Sequence, residues 1–167
     1  KIKKEKLKIK KGGMCFPNFA FLLFTFYLVL CAEGDPVRFV DVTEKAGVQF
    51  VHRTGAQGDW RYIETMGSGC ALFDFDGDGD LDLYLVNGAQ LPEQSGGTNA
   101  LYRNEGSMSF VDVTDVLGVS GQAYGMGCTV GDADNDGDLD LYVTGYDANV
   151  LYRNGGSGTF TDVTSTA

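Results

Sequence analysis

Asp74-Phe75-Asp76-Gly77-Asp78-Gly79-Asp80-Leu81-Asp82-Leu83-Tyr84 returns 58 residues later as Asp132-Ala133-Asp134-Asn135-Asp136-Gly137-Asp138-Leu139-Asp140-Leu141-Tyr142. In both copies an aspartate stands at every second position across nine residues, and a β-prone run follows, Leu83-Tyr84-Leu85-Val86 or Leu141-Tyr142-Val143-Thr144. Two copies in register make this a repeat, and a repeat decides the fold before any single element does. Further along, Leu101-Tyr102-Arg103-Asn104 matches Leu151-Tyr152-Arg153-Asn154, and Phe110-Val111-Asp112-Val113-Thr114 matches Phe160-Thr161-Asp162-Val163-Thr164. These later matches lie 50 residues apart, so the first copy carries eight extra residues. The extra residues fall in Asn87–Thr98, whose Gly, Pro, Ser and Gln read as a loop.

Each copy spells four short strands. The first covers about 67–73 and 125–131; the acidic loop leads into the second; Leu-Tyr-Arg-Asn is the third. A Gly/Ser turn then leads to the fourth. Short runs of β-branched and aromatic residues between turn signals argue for antiparallel sheet, and no segment of the body holds a long 3.6-residue period. The expected fold class is all-β. A four-stranded sheet of this size cannot bury both faces alone, so neighbouring units must cover it, as the blades of a β-propeller do. A third copy of the fourth strand, Phe39-Val40-Asp41-Val42-Thr43, precedes the first unit. It is placed to close a ring by joining a last blade, or to lie as a plain edge strand. The expected divisions are 1–32, a targeting segment with a signal helix; 33–66, a closing strand and irregular segment; 67–114, the first blade; and 115–167, the second.

The acidic loops have the donor chemistry of a calcium site. Calcium takes six to eight oxygens at about 2.3–2.6 Å. Asp74, Asp76 and Asp78 hold positions one, three and five of the first loop. Gly79, at six, permits a sharp turn; Asp80, at seven, is expected to offer its backbone carbonyl; Asp82, at nine, is expected to close the site with its carboxylate. Asp132, Asp134, Asp136, Gly137, Asp138 and Asp140 repeat the arrangement. Two Ca²⁺ sites are therefore expected. Magnesium prefers a small octahedron with retained waters, and zinc or copper would want His or Cys. An EF-hand needs Glu at position twelve between two helices; position twelve is Leu85 in one loop and Val143 in the other.

Charge is divided along the chain. Residues 1–32 carry seven Lys and one Glu; the rest carries six Lys and Arg against 22 Asp and Glu, and the whole has a net charge of -10. Ten of those 22 acids lie in the two loops. So acidic a body repels nucleic acid and anionic membranes and attracts cations. The lysines precede an apolar stretch, Phe19–Leu30, the length of a signal-peptide core and short for a membrane span. Export is expected, to the outside of the cell, the periplasm or the outer surface. An uncleaved anchor, which would give the membrane its only contact with the protein, and lipidation at Cys31 are the alternatives. Cys70 and Cys128 stand at equivalent positions of the two units. They are read as small buried core residues with free thiols, in preference to a disulfide.

The acidic loops with their Leu-Asp-Leu-Tyr exits, the Phe-x-Asp-Val-Thr strands and Glu64-Thr65-Met66-Gly67-Ser68-Gly69 carry a resemblance. The units resemble FG-GAP (also called VCBS) repeats, the blades of integrin-α-type propellers. The stretch from Phe39 through Thr164 is similar to secreted proteins related to cartilage acidic protein, which bear a further domain called ASPIC/UnbV. The resemblance implies two blades of a seven-bladed, calcium-stiffened propeller that recognises or adheres to a protein or glycan outside the cell.

Nothing points to catalysis. His52 is the single histidine, and no nucleophile signature, P-loop or dinucleotide fingerprint is visible. Arg103 and Arg153 recur in both units and are expected to pair with a nearby Asp. Trp60, Arg61 and Tyr62 and the Asn87–Thr98 loop lie outside the repeat, where a partner could be met. Two other readings stay open: an enzyme whose active site lies in further blades, and a purely structural surface component.

Overall fold

The computed structural model describes residues 37–59, 61–91, 97–121, 123–156 and 158–166. The chain divides into two compact units, Lys1–Val40 and Asp41–Ala167. Of the first unit, only residues 37–40 are described; they are exposed and form no element. The expected leader, Cys31 and Trp60 lie outside the described residues.

The second unit holds two four-stranded antiparallel sheets. In the first, β1 (Cys70–Phe73), β2 (Asp82–Leu85), β3 (Ala100–Asn104) and β4 (Phe110–Asp112) lie side by side in chain order. In the second, β5 (Gly125–Gly131), β6 (Asp140–Gly145), β7 (Val150–Asn154) and β8 (Phe160–Asp162) do the same. Tyr84 faces Leu101 in one sheet and Tyr142 faces Leu151 in the other, so the registers repeat with the sequence. The only α-helix among the described residues, α1 (Thr114–Leu117), is one turn long and ends on Gly118 in the left-handed region at φ 67°.

The two sheets share one core, built from Phe73, Phe75, Tyr84, Val86 and Leu101 of the first half and Leu141, Val143 and Tyr152 of the second. Side chains alternate faces along a strand, and the core draws opposite parities from the two copies. Tyr84 is 0 % exposed, while its counterpart Tyr142 is 37 % exposed. Leu141 is buried, while its counterpart Leu83 is only half-buried. Phe73 is buried; its counterpart Gly131 is exposed. The front of one sheet therefore lies on the back of the next, as consecutive blades must. At one end of this stack the backbones touch. Gly69 N donates to Met126 O at 3.1 Å, and a Cβ on Gly69 would lie 2.9 Å from Gly127 Cα.

The same stacking gives the two cysteines different surroundings. Both thiols are free. Cys128 packs half-buried against the core, as expected, but Cys70 is exposed, because its parity points to the outer side of the first sheet.

Two further expectations change. Phe39–Thr43 forms no strand, and Phe39 is 98 % exposed. Thr43 N donates to Asp41 Oδ1 at 3.0 Å, as Thr114 and Thr164 do to Asp112 and Asp162, and the carbonyls of Val42 and Thr43 accept from Ala46 N and Val48 N in a turn. The Asn87–Thr98 segment is not a plain surface loop at its ends, since Asn87, Ala89, Leu91 and neighbouring Asn99 are buried. Asn87 accepts from Arg53 N at 2.7 Å and donates to Val51 O and Thr98 O. Asn99 accepts from Asn87 N and donates to Tyr84 Oη, which donates to Val119 O at 2.8 Å. Two amide side chains thus satisfy the backbone of a buried crossing that lacks sheet partners.

Candidate metal centres

The first acidic loop joins β1 to β2, and the second joins β5 to β6. Both curl back on their first aspartate. Asp74 Oδ1 accepts from Gly77 N at 2.8 Å and Asp78 N at 3.1 Å, and its Oδ2 accepts from Gly79 N at 2.9 Å. Asp132 does likewise, taking Asp136 N and Gly137 N, both at 3.1 Å. This curl needs left-handed backbone at two positions. Gly79 and Gly137 supply the sixth, at φ 91° and 100°; Gly77 and Asn135 supply the fourth, at φ 77° and 63°. The fourth position escaped the sequence reading, although Gly and Asn are the two residues that adopt this region most readily.

The curl brings side-chain oxygens of Asp74, Asp76 and Asp78 within 4.8 Å of one another, and those of Asp132, Asp134 and Asp136 likewise. Two ligands on opposite sides of a calcium ion, at about 2.3–2.6 Å each, stand about 4.6–5.2 Å apart. The spacing in each loop is that of a group that could hold one metal ion. In the first loop Asp76 Oδ1 is buried with no hydrogen-bond donor. A buried carboxylate oxygen without a donor is costly unless a cation meets it. The donor sets are oxygen only, which suits a hard divalent ion.

The seventh and ninth aspartates make backbone hydrogen bonds as well. Asp82 is 0 % exposed; Phe75 N donates to its Oδ2 at 3.0 Å and Asn104 N to its Oδ1 at 2.8 Å. Asp140 holds Ala133 N and Asn154 N in the same way, each at 2.8 Å. The ninth aspartate thus ties the loop to the third strand of its own sheet. Each of its oxygens keeps a second lone pair. Burial pushes the Asp82 carboxyl above the ordinary carboxylate range, against the pull of its two amide donors; the charges of Asp76 and Asp78 push it further. Asp80 N and Asp138 N donate to Asp78 Oδ1 and Asp136 Oδ1. Their carboxylates turn towards the glycine of the next hairpin: a Cβ on Gly106 would lie 3.4 Å from Asp80 Oδ2, and one on Gly156 2.9 Å from Asp138 Oδ2.

The arginines differ from expectation in one copy. Arg153 pairs with Asp134 at 3.8 Å, but Arg103 takes Glu105, two residues along its own strand exit, with Nε 2.7 Å from Oε1. His52 Nε2 lies 3.2 Å from Ser68 Oγ, whose own proton goes to Gly125 O. That serine is a link between backbone segments, with its hydrogen committed.

A family model described as FG-GAP-like repeat matches residues 74–143 and 132–167, more than half of the chain. The match is to the repeat and does not extend to the narrower group that bears ASPIC/UnbV domains. No curated protein matches the chain.

Proposed function

The chain belongs to the FG-GAP-like repeat family, and on that premise we propose that it is a calcium-binding propeller module, exported from the cell and used to recognise a protein or glycan. The observation that carries the calcium reading is the buried, donorless Asp76 Oδ1 inside a triad of carboxylates. In the first site Asp74, Asp76 and Asp78 would hold the ion, with the Asp80 carbonyl and Asp82 completing the shell. Asp132, Asp134, Asp136, Asp138 and Asp140 would do so in the second. The ion would supply charge neutralisation and loop order, with no chemistry on a substrate. Three carboxylates converging on one point repel; at about 4 Å and water-like screening each pair costs roughly 1 kcal/mol. A divalent ion reverses that sign, so binding and loop order are coupled.

Export is supported by the basic run at Lys1–Lys11 ahead of the apolar Phe19–Leu30. Recognition, in place of catalysis, is supported by the commitment of the acidic side chains to the loops and of the Ser68 proton to the backbone. A thermal melt tests the calcium reading. Chelation should lower the midpoint, and added calcium should raise it in proportion to the logarithm of its concentration. A midpoint unmoved by chelator and by millimolar calcium would refute it.

A further inference from the structure

We propose that the two calcium loops are energetically linked, and that Asn154 is the residue that links them. This rests on the calcium reading above. Asn154 ends β7 and is 0 % exposed. Its Nδ2 donates to Phe75 O at 2.7 Å and to Leu139 O at 3.3 Å. Phe75 is the second residue of the first loop, and Leu139 the eighth of the second. One side-chain amide therefore holds backbone from both loops, which lie in different sheets.

The backbone of Asn154 extends the connection. Its N–H donates to Asp140 Oδ1, and Asp140 Oδ2 takes Ala133 N, so the base of the second loop is fixed to the same residue. Other described residues of the β7–β8 hairpin reach both loops. Phe160 lies against Phe75 with ring centroids 5.9 Å apart. Gly158 lies so close that a Cβ there would meet Phe75 Cε2 at 2.9 Å and Asp76 Cβ at 3.5 Å. On the other side Gly156 meets Asp138, and Arg153 pairs with Asp134. An ion that orders the second loop fixes Asp140 and Leu139, hence Asn154, hence the Phe75 carbonyl beside Asp76. Ordering the first loop fixes the same amide from the other end. Each ion thereby lowers the ordering cost met by the other, and the effect is reciprocal.

The equivalent residue of the first unit provides an internal control. Asn104 stands at the same place in β3, with the same backbone bond to Asp82. Its Nδ2 donates to Leu81 O, in its own unit, at 3.1 Å. Among the described residues it reaches no second loop, because its parity faces the outer side of the first sheet.

Calorimetric titration of the full chain with calcium tests the link. Asp132→Asn leaves the first loop to be measured alone, and Asp74→Asn the second. In the unsubstituted chain the overall two-ion constant should exceed the product of the two single-loop constants by about fivefold or more, the lower range of ordinary coupling. Asn154→Ser should bring that factor close to one, and Asn104→Ser should leave it. A factor close to one in the unsubstituted chain would overturn the proposal, as would a factor that survives Asn154→Ser. Should Asn154→Ser fail to fold, the unsubstituted comparison decides alone. Two independent sites would remove the link and keep the calcium reading; absence of binding at either loop would remove both.

Discussion

The aspartates of one loop divide into kinds that alternation alone does not separate. The first, third and fifth gather their oxygens around one point, while the ninth also clamps backbone from its own loop and from the third strand. The acidic spacing was legible because alternate residues at the start of a tight loop bring their side chains together. The double engagement of Asp82 was not, because its second partner, Asn104, comes 22 residues later and only sheet pairing brings it back. Cysteine exposure was equally hidden. Cys70 and Cys128 are equivalent in sequence and unequal in space, since only one of them faces the neighbouring sheet. Burial, with a smaller push from Cys70, raises the Cys128 thiol to about 11. The thiolate is the reactive form, so at pH 8 Cys128 should alkylate roughly a hundredfold more slowly in the native chain than in the denatured chain. Mass spectrometry of timed iodoacetamide reactions checks this; equal rates in the two states would place Cys128 in water.

Strand positions were largely legible, because most of the eight strands are short apolar or aromatic runs between turn residues. Which face of each strand would be buried was not. The repeat gives both sheets the same alternation, and only face-to-back stacking decides that Tyr84 and Leu141 go inside while Tyr142 and Leu83 do not. The Asn87–Thr98 segment is a loop, as its composition indicates, but the burial of its ends was hidden for a related reason: Asn87 and Asn99 carry enough hydrogen bonds to be buried. At Gly69 the two sheets meet backbone to backbone. A methyl group there meets backbone, which cannot swing aside, so Gly69→Ala should destabilise by about 1–3 kcal/mol. Gly131→Ala, at the far end of β5 with open space around it, should change stability by less than about 0.5 kcal/mol. Urea unfolding of the two variants distinguishes them, and equal effects would mean that the sheets do not meet at Gly69.

At the scale of the molecule, face-to-back stacking has no built-in end. A front and a back are always left over, and such head-to-tail contacts propagate until a ring closes. Here the leftover back carries Leu72, 60 % exposed, and the leftover front carries Tyr142. The full chain on its own should therefore associate in a concentration-dependent way, seen as a rising mass in light scattering. A constant monomer mass across the soluble range would contradict this. The negative charge of -10 opposes association at long range, and ions bound in the loops would reduce it. Equilibrium dialysis against labelled calcium, at the roughly millimolar levels suited to extracellular modules, counts them directly. The prediction is two ions per chain, and one for Asp74→Asn or Asp132→Asn. No bound calcium in the unsubstituted chain, or two ions still held by either variant, would contradict it.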